Sequence, residues 1–257
     1  MPDETIPETA TDEAAVEGTD ADTDTDTDEI AGEVRDRLAL ALDVDDLVAG
    51  TRLAKALAPY FGVAKIGLEL YSAAGPDAIG ALTGLGYDVF LDLKLHDIPN
   101  TVNKSSRVLG ALGVSYLTYH AHGGVDMLKA GVEGLNEGAS NAGLDAPDSL
   151  AVTVLTSDAD APDHIVPKRV AISLEAGCTG VVCAVADLQE VHHYAPRMLR
   201  VTPGIRMAGA QTHDQARAAT PAEAIAGGSD LLVIGRAVTA ADDPVEAAEQ
   251  LVAEILS

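Results

Sequence analysis

The chain has 257 residues, with 41 Asp and Glu against 16 Lys and Arg, and a formal net charge of −25. That balance disfavours nucleic acid or an anionic membrane surface as a partner, since both would repel it. No apolar run approaches the roughly 18 to 20 residues that a membrane span needs. The first residues have neither the basic n-region nor the apolar h-region of a signal peptide, so a cytoplasmic protein is expected, with Cys178 and Cys183 as reduced core thiols.

The charge is spread unevenly. Residues 1–34 hold 13 of the acids and no Lys or Arg, with Thr and Asp alternating from Thr19 to Asp28. Such a segment cannot bury enough apolar surface to fold, and it reads as a disordered acidic tail. The remaining residues, 35–257, carry 28 acids against 16 bases, only six of them lysines. A strongly anionic surface with few lysines suits concentrated salt, where screening weakens self-repulsion, so a halophilic type of surface is expected.

From residue 35 onward, short runs rich in Val, Ile and Leu recur about every 20 to 30 residues, with helical patterns between them. The spacing predicts strands at Leu38–Val44, Val63–Gly67, Asp88–Lys94, Tyr116–Ala121, Leu150–Thr156, Gly180–Ala184, Leu199–Thr202 and Leu231–Gly235. Helices are predicted at 46–60, 70–84, 100–112, 124–137, 163–176, 187–194, 221–227 and 244–256, the last starting behind Pro244. Eight βα units predict a single-domain α/β fold, a (β/α)₈ TIM barrel over 35–257. A doubly wound open sheet fits less well, because no Gly-x-Gly-x-x-Gly turn follows the first strand.

The most informative stretch is Asp92-Leu-Lys94-Leu-His-Asp97. Side chains two apart on a strand share a face. Asp92 and Lys94 therefore point one way and Leu91 and Leu93 the other, with Asp97 in the loop beyond. Carboxylates beside a lysine hold its ammonium charged. That suits a proton donor and not a Schiff-base nucleophile, which needs a lowered pKa. A strand-end ion pair would explain one Asp and one Lys. It does not explain so tight an array with Lys65 on the preceding strand.

In a barrel the active site lies at the C-terminal strand ends, and polar residues collect there. Asp43 closes the first strand, Lys65 stands near the end of the second, and Thr156 and Ser157 follow the fifth. Pro203-Gly204-Ile205-Arg206 follows the seventh strand, and Gly235-Arg236 ends the eighth. Barrels often hold phosphate with the last two loops. Each loop here offers a glycine for close backbone approach and an arginine that can grip oxygens in pairs, so a phosphorylated substrate is expected. His120-Ala-His122 has the alternate spacing of a metal pair. Strand four supplies no further ligands, however, and Asp126 falls in the next helix, so hydrogen-bonded or solvent-facing histidines are expected. His96 is expected to support its loop.

The extended run Asp92-x-Lys94-x-x-Asp97-Ile-Pro-Asn-Thr101-Val resembles the signature of the orotidine 5′-phosphate decarboxylase family. Leu-Ala-Leu-Asp43, Lys65-Ile-Gly, Val-Thr-Val-Leu-Thr-Ser157, Thr-Pro-Gly-Ile-Arg206, Asp214-Gln215-x-Arg and Val-Ile-Gly-Arg236 agree with it, so the resemblance covers about 35–257. Asp-x-Lys-x-x-Asp alone is shared with sugar-phosphate decarboxylases and synthases of the same superfamily. His122 departs from the pattern, standing where a small residue is expected.

The resemblance implies a homodimer that converts orotidine 5′-monophosphate to uridine 5′-monophosphate with no metal or organic cofactor. It implies candidate catalytic residues Lys94, Asp92, Asp97 and Lys65, with Asp97 and Thr101 reaching across the interface into the partner's site. Asp43 and Lys65 would hold ribose hydroxyls, and Ser157 beside Thr156 the pyrimidine edge. Pro203, Gly204, Arg206, Gln215, Gly235 and Arg236 would hold the phosphate end. The segment from Gly204 to Arg217 is the expected closing loop. Two other readings compete: a Mg²⁺-dependent sugar-phosphate enzyme that stabilises an enediolate, and a nucleotide-binding regulator on a retired barrel. A pure binder, though, gains nothing from desolvating four charges.

Overall fold

The structure, a computed structural model, describes residues 32–158, 161–162, 164–207 and 219–256. Eight strands form a closed barrel in sequence order: β1 Leu38–Leu42, β2 Val63–Ile66, β3 Asp88–Leu95, β4 Tyr116–His120, β5 Asp148–Val152, β6 Gly180–Val182, β7 Leu199–Thr202 and β8 Leu231–Ile234. Every pairing is parallel, and β8 closes on β1 through Ala39 opposite Val233. The TIM barrel expected from the alternating pattern is the fold. Most of the expected acidic tail, 1–31, lies outside the described residues. Residues 32–36 form a helical turn, and Val34 is buried in the core.

Period-two alternation sorts the strand residues into two cores. Leu38, Leu40 and Leu42, with Ala64, Ile66, Val89, Leu91, Leu117 and Tyr119, face outward into the layer under the helices. Ala39, Ala41, Val63, Phe90, Leu150, Val152, Val182, Val201, Leu231 and Val233 fill the barrel interior. Lys65 is two residues beyond Val63 and Asp92 two beyond Phe90. Both therefore stand one layer above the apolar filling, at the C-terminal mouth.

The helices are α1 Leu47–Leu57, α2 Leu68–Ala74, α3 Asp77–Thr83, α4 Pro99–Gly110, α5 Gly124–Ala142, α6 Ile165–Glu175, α7 Leu188–Tyr194, α8 Pro221–Ala226, α9 Arg236–Thr239 and α10 Pro244–Leu256. Start signals act as local chemistry requires. The Asp46 carboxylate accepts from Val48 and Ala49 N–H, and Thr220 with Glu223 makes a capping box ahead of α8.

Four elements differ from expectation. The helix predicted over 70–84 is split, because Pro76 disfavours helical backbone in its predecessor and Gly75 turns at φ 57°. The fifth and sixth strands stop at Val152 and Val182. There Thr153 spends both its N–H and its hydroxyl on the Val182 carbonyl, at 3.1 and 2.9 Å. Arg236 begins a helix, α9, that no apolar period announced.

Helices α4 and α5 pack backbone to backbone. A Cβ on Gly134 would overlap the Asn103 carbonyl oxygen, one on Gly138 that of Arg107, and one on Gly110 that of Leu135. Asn103 Nδ2 donates to the Ala130 carbonyl at 2.9 Å, and Arg107 meets Glu137 at 3.2 Å across the same seam. This contact fixes the helix whose N-terminal end carries the Asp97–Thr101 segment.

Candidate active site

A cavity of about 540 Å³ opens at the C-terminal mouth of the barrel. Its floor is apolar, with Phe90, Val152, Val182 and Val233, the upper members of the interior stack. One wall carries Asp43, Lys65, Asp92 and Lys94; the other carries Pro203, Gly204, Arg206, Gly235 and Arg236, with Thr156 between.

The four charges on the first wall alternate in sign. Lys65 Nζ lies 3.2 Å from Asp43 Oδ1 and 3.6 Å from Asp92 Oδ2, while Lys94 Nζ lies 2.8 Å from Asp92 Oδ1. Exposure falls inward: the Asp43 side chain is 58% exposed, Lys94 33%, Asp92 14% and Lys65 10%. Burial alone would push the Asp92 carboxyl up. The Lys65 and Lys94 ammoniums, with hydrogen bonds from Lys94 and Thr118, outweigh it and hold the group below the usual carboxylate range. Gly67 keeps the corner open, because a Cβ there would stand 3.2 Å from Asp43 Oδ1 and 3.3 Å from Lys65 Nζ.

Lys94 lies within β3 but breaks its regular extended backbone. Its φ is 50°, and it is the one non-glycine residue with positive φ among the described residues. The β3–β4 register runs Phe90 to Tyr116 and Leu91 to Leu117, then resumes at Leu95 opposite Tyr119. Two extra residues thus bulge from β3, the kind of irregularity found beside active sites. The Lys94 N–H donates to the Thr118 hydroxyl at 2.8 Å, and that hydroxyl donates to Asp92 Oδ1 at 3.0 Å. A left-handed lysine costs on the order of 1 to 2 kcal/mol. These bonds hold it where its ammonium reaches Asp92.

The opposite wall is built from the loops after β7 and β8. Gly204 has φ 86°, a conformation that favours glycine. The base of its loop is closed by Arg206 N–H to the Ala219 carbonyl at 2.9 Å and Ala219 N–H to the Gly204 carbonyl at 3.3 Å. Arg206 is buried, its Nη1 donating to the Ile205 carbonyl at 2.8 Å. Gly235 precedes α9 and places Arg236 at the cavity rim.

Ten of the sequence-derived candidates therefore share one cavity: Asp43, Lys65, Asp92, Lys94, Thr156, Pro203, Gly204, Arg206, Gly235 and Arg236. Asp97 and Thr101 do not line it. Both are exposed, and Asp97 Oδ1 accepts from the Ile98 N–H at 2.6 Å. Ser157 is exposed and also outside the lining, and Gln215 lies outside the described residues. Sequence reasoning missed Thr118, although it sits two residues before His120 on the same strand face, and it did not single out Gly67.

The three histidines gather beside this site. The His96 ring lies 5.6 Å from that of His120 and 5.7 Å from that of His122, and His120 Nδ1 accepts from the His122 N–H at 3.3 Å. Burial lowers the His120 pKa, and the neighbouring Arg169, His96, His122 and Lys94 lower it further. Among the described residues, no group of three or more His, Cys, Asp or Glu is placed to hold a metal ion.

A family model described as "Orotidine 5'-phosphate decarboxylase / HUMPS family" matches residues 36–251. A protein named orotidine 5'-phosphate decarboxylase from Moorella thermoacetica is 45% identical over 233 residues, spanning 86% of this chain and 92% of that protein. A protein of the same name from Anaeromyxobacter is 44% identical over 229 residues, spanning 85% and 97%. The crystal structure of orotidine 5'-phosphate decarboxylase from Lactobacillus acidophilus matches with a TM-score of 0.72 at 36% identity, covering 86% of this chain and 100% of that one. With the barrel, the matched span and these likenesses in agreement, the chain belongs to the orotidine 5'-phosphate decarboxylase / HUMPS family.

Proposed function

We propose that this chain decarboxylates orotidine 5′-monophosphate to uridine 5′-monophosphate, a step of pyrimidine biosynthesis, without metal or organic cofactor. The observation that carries the reading is the alternating Asp43–Lys65–Asp92–Lys94 array facing the Gly204, Arg206, Gly235 and Arg236 wall across one cavity.

Loss of CO₂ breaks the bond from C6 of the pyrimidine to its carboxylate and leaves the electron pair on C6, in the ring plane. No π system accepts that pair, so a cation must stand where the charge develops. Lys94 does so and then gives its Nζ proton to C6, and the neutral amine recovers a proton from solvent. Asp92 lies against the departing carboxylate and sets the direction of Lys94. Lys65 and Asp43 hold ribose hydroxyls, and Thr156 faces the pyrimidine edge, with Ser157 next to it just outside the cavity lining.

The barrier reduction required is on the order of 20 kcal/mol, more than one lysine supplies. Phosphate binding by the β7 and β8 loops, with Arg206, Gln215 and Arg236, contributes remote binding energy that holds a closed, water-excluding state. The glycine turn and the short helix after β8 match a common phosphate arrangement of such barrels.

The working unit in this reading is a homodimer. Asp97 just before α4 and Thr101 in its first turn stand exposed and outside the lining of their own cavity, which suits residues that complete the partner's site. The excess of 28 acids over 16 bases beyond residue 34 suits a cytoplasm of concentrated salt.

The test is absorbance decay of orotidine 5′-monophosphate with purified protein in molar KCl, with and without EDTA, beside Lys94→Ala. EDTA-insensitive loss of substrate that disappears in the variant supports the decarboxylase and its proton donor. No turnover at any salt concentration overturns the reading and redirects it to Mg²⁺-dependent sugar phosphates.

A further inference from the structure

Thr118 is fully buried on β4, next to the β3 bulge. A hydroxyl has one proton and two acceptor lone pairs. Its oxygen accepts from the Lys94 N–H at 2.8 Å, and its proton goes to Asp92 Oδ1 at 3.0 Å. The same Oδ1 receives Lys94 Nζ at 2.8 Å, so the contacts close a ring from the Lys94 backbone through Thr118 and Asp92 to the Lys94 ammonium. Asp92 Oδ2 is left to Lys65 at 3.6 Å.

We infer that Thr118 is a positioning residue for the reaction proposed above, locking both the left-handed backbone of Lys94 and the carboxylate rotamer of Asp92. The inference rests on that functional reading. Strand alternation alone would leave Lys94 in extended backbone. The bulge supplies the two extra residues, and the Thr118 hydroxyl gives the displaced Lys94 N–H a partner. By donating to Oδ1, the hydroxyl also decides which oxygen of Asp92 meets which lysine. Because a donor favours the charged carboxylate, removing the hydroxyl should raise the Asp92 pKa.

Thr118→Val exchanges the hydroxyl for a methyl group, whereas Thr118→Ser keeps the hydroxyl and drops the methyl. Positioning predicts that Thr118→Val loses about 10- to 100-fold in kcat, with KM and uridine 5′-monophosphate affinity changed only a few-fold. The acid limb of its kcat–pH profile should move to higher pH. Thr118→Ser should stay within a few-fold of the parent in both respects. Should Thr118→Val fail to fold, Thr118→Ala against Thr118→Ser draws the same distinction.

Equal loss in the Ser and Val variants, or a Val variant with parental kcat and an unmoved acid limb, overturns the inference. The ¹³C titration of the Asp92 carboxylate needs no turnover and separates the two readings. An upward shift in Thr118→Val but not in Thr118→Ser supports the role of Thr118 in holding Asp92, even if the parent proves inactive on orotidine 5′-monophosphate. No shift in either variant overturns it.

Discussion

Lys65 engages the carboxylate oxygen of Asp92 that Lys94 leaves free, with Nζ 3.6 Å from Oδ2 while Lys94 takes Oδ1 at 2.8 Å. One largely buried carboxylate, its side chain 14% exposed, thus balances two ammoniums from neighbouring strands. Neutralising it takes from Lys94 its carboxylate at 2.8 Å and leaves Lys65 with Asp43 alone. Asp92→Asn should lower stability at pH 7 by about 3 kcal/mol. The native Asp92 pKa lies below the ordinary carboxyl value of 3.8. Its contribution is therefore present above that value and lost as pH falls through the native pKa. Urea unfolding of parent and variant should show a gap that is widest near neutrality and closes in acid. A gap unchanged down to pH 3 would contradict the pairing.

Arg236 reaches the cavity rim from the first residue of α9, on the wall opposite Lys94. Arg236→Ala should cost about 10²- to 10³-fold in kcat/KM on the nucleotide, the loss of one or two charge-assisted hydrogen bonds. The phosphate-free nucleoside should react equally with parent and variant. Steady-state kinetics on both substrates checks this, and unchanged kcat/KM on the nucleotide would remove Arg236 from the phosphate site.

His120 titrates below its ordinary value, first because of burial and then because of its electrostatic neighbours Arg169, His96, His122 and Lys94. The folded state therefore prefers neutral imidazole. Stability from this source is complete above the unfolded pKa near 6.5 and is lost as pH falls through the lower native value. Thermal melts of the parent should drop as pH falls below about 6.5, and His120→Gln should flatten that slope. An equally steep slope in the variant would assign the effect to other groups.

Gly138 faces the Arg107 carbonyl with no room for a methyl group, and the obstructing atom belongs to a helix backbone. Gly138→Ala should destabilise by about 1 to 3 kcal/mol, even though alanine is the better helix former. A thermal melt showing no loss would mean that α4 and α5 can separate at little cost.

How much of this could be read in the chain follows from which contacts are local. Period two along β2 and β3 was enough to put Lys65 and Asp92 at one mouth, because Val63 and Phe90 beneath them mark the inward face, whereas Lys94 reaches it through the β3 bulge. The glycine and arginine after β7 and after β8 were legible as punctuation at strand ends. Thr118 was not, since its importance lies in a hydroxyl bonding across to another strand at a bulge, and nothing in its neighbours Leu117 and Tyr119 announces that irregularity. The split at Gly75–Pro76 was written in the sequence but hidden by an otherwise helical pattern. Asp97 and Thr101 were visible as polar residues, yet their exposure shows that one chain's fold leaves them outside its own cavity.

The apolar floor of Phe90, Val152, Val182 and Val233 has a consequence for the strength of the charges above it. Nothing beneath the array can rotate to answer a change in charge, so its dielectric response comes almost entirely from the open end. Two unit charges 4 Å apart interact by about 1 kcal/mol in bulk water and about 4 kcal/mol at an effective dielectric of 20. A molecule that seats itself over the mouth removes the solvent answering those charges. The occupant itself raises the voltage under which it reacts.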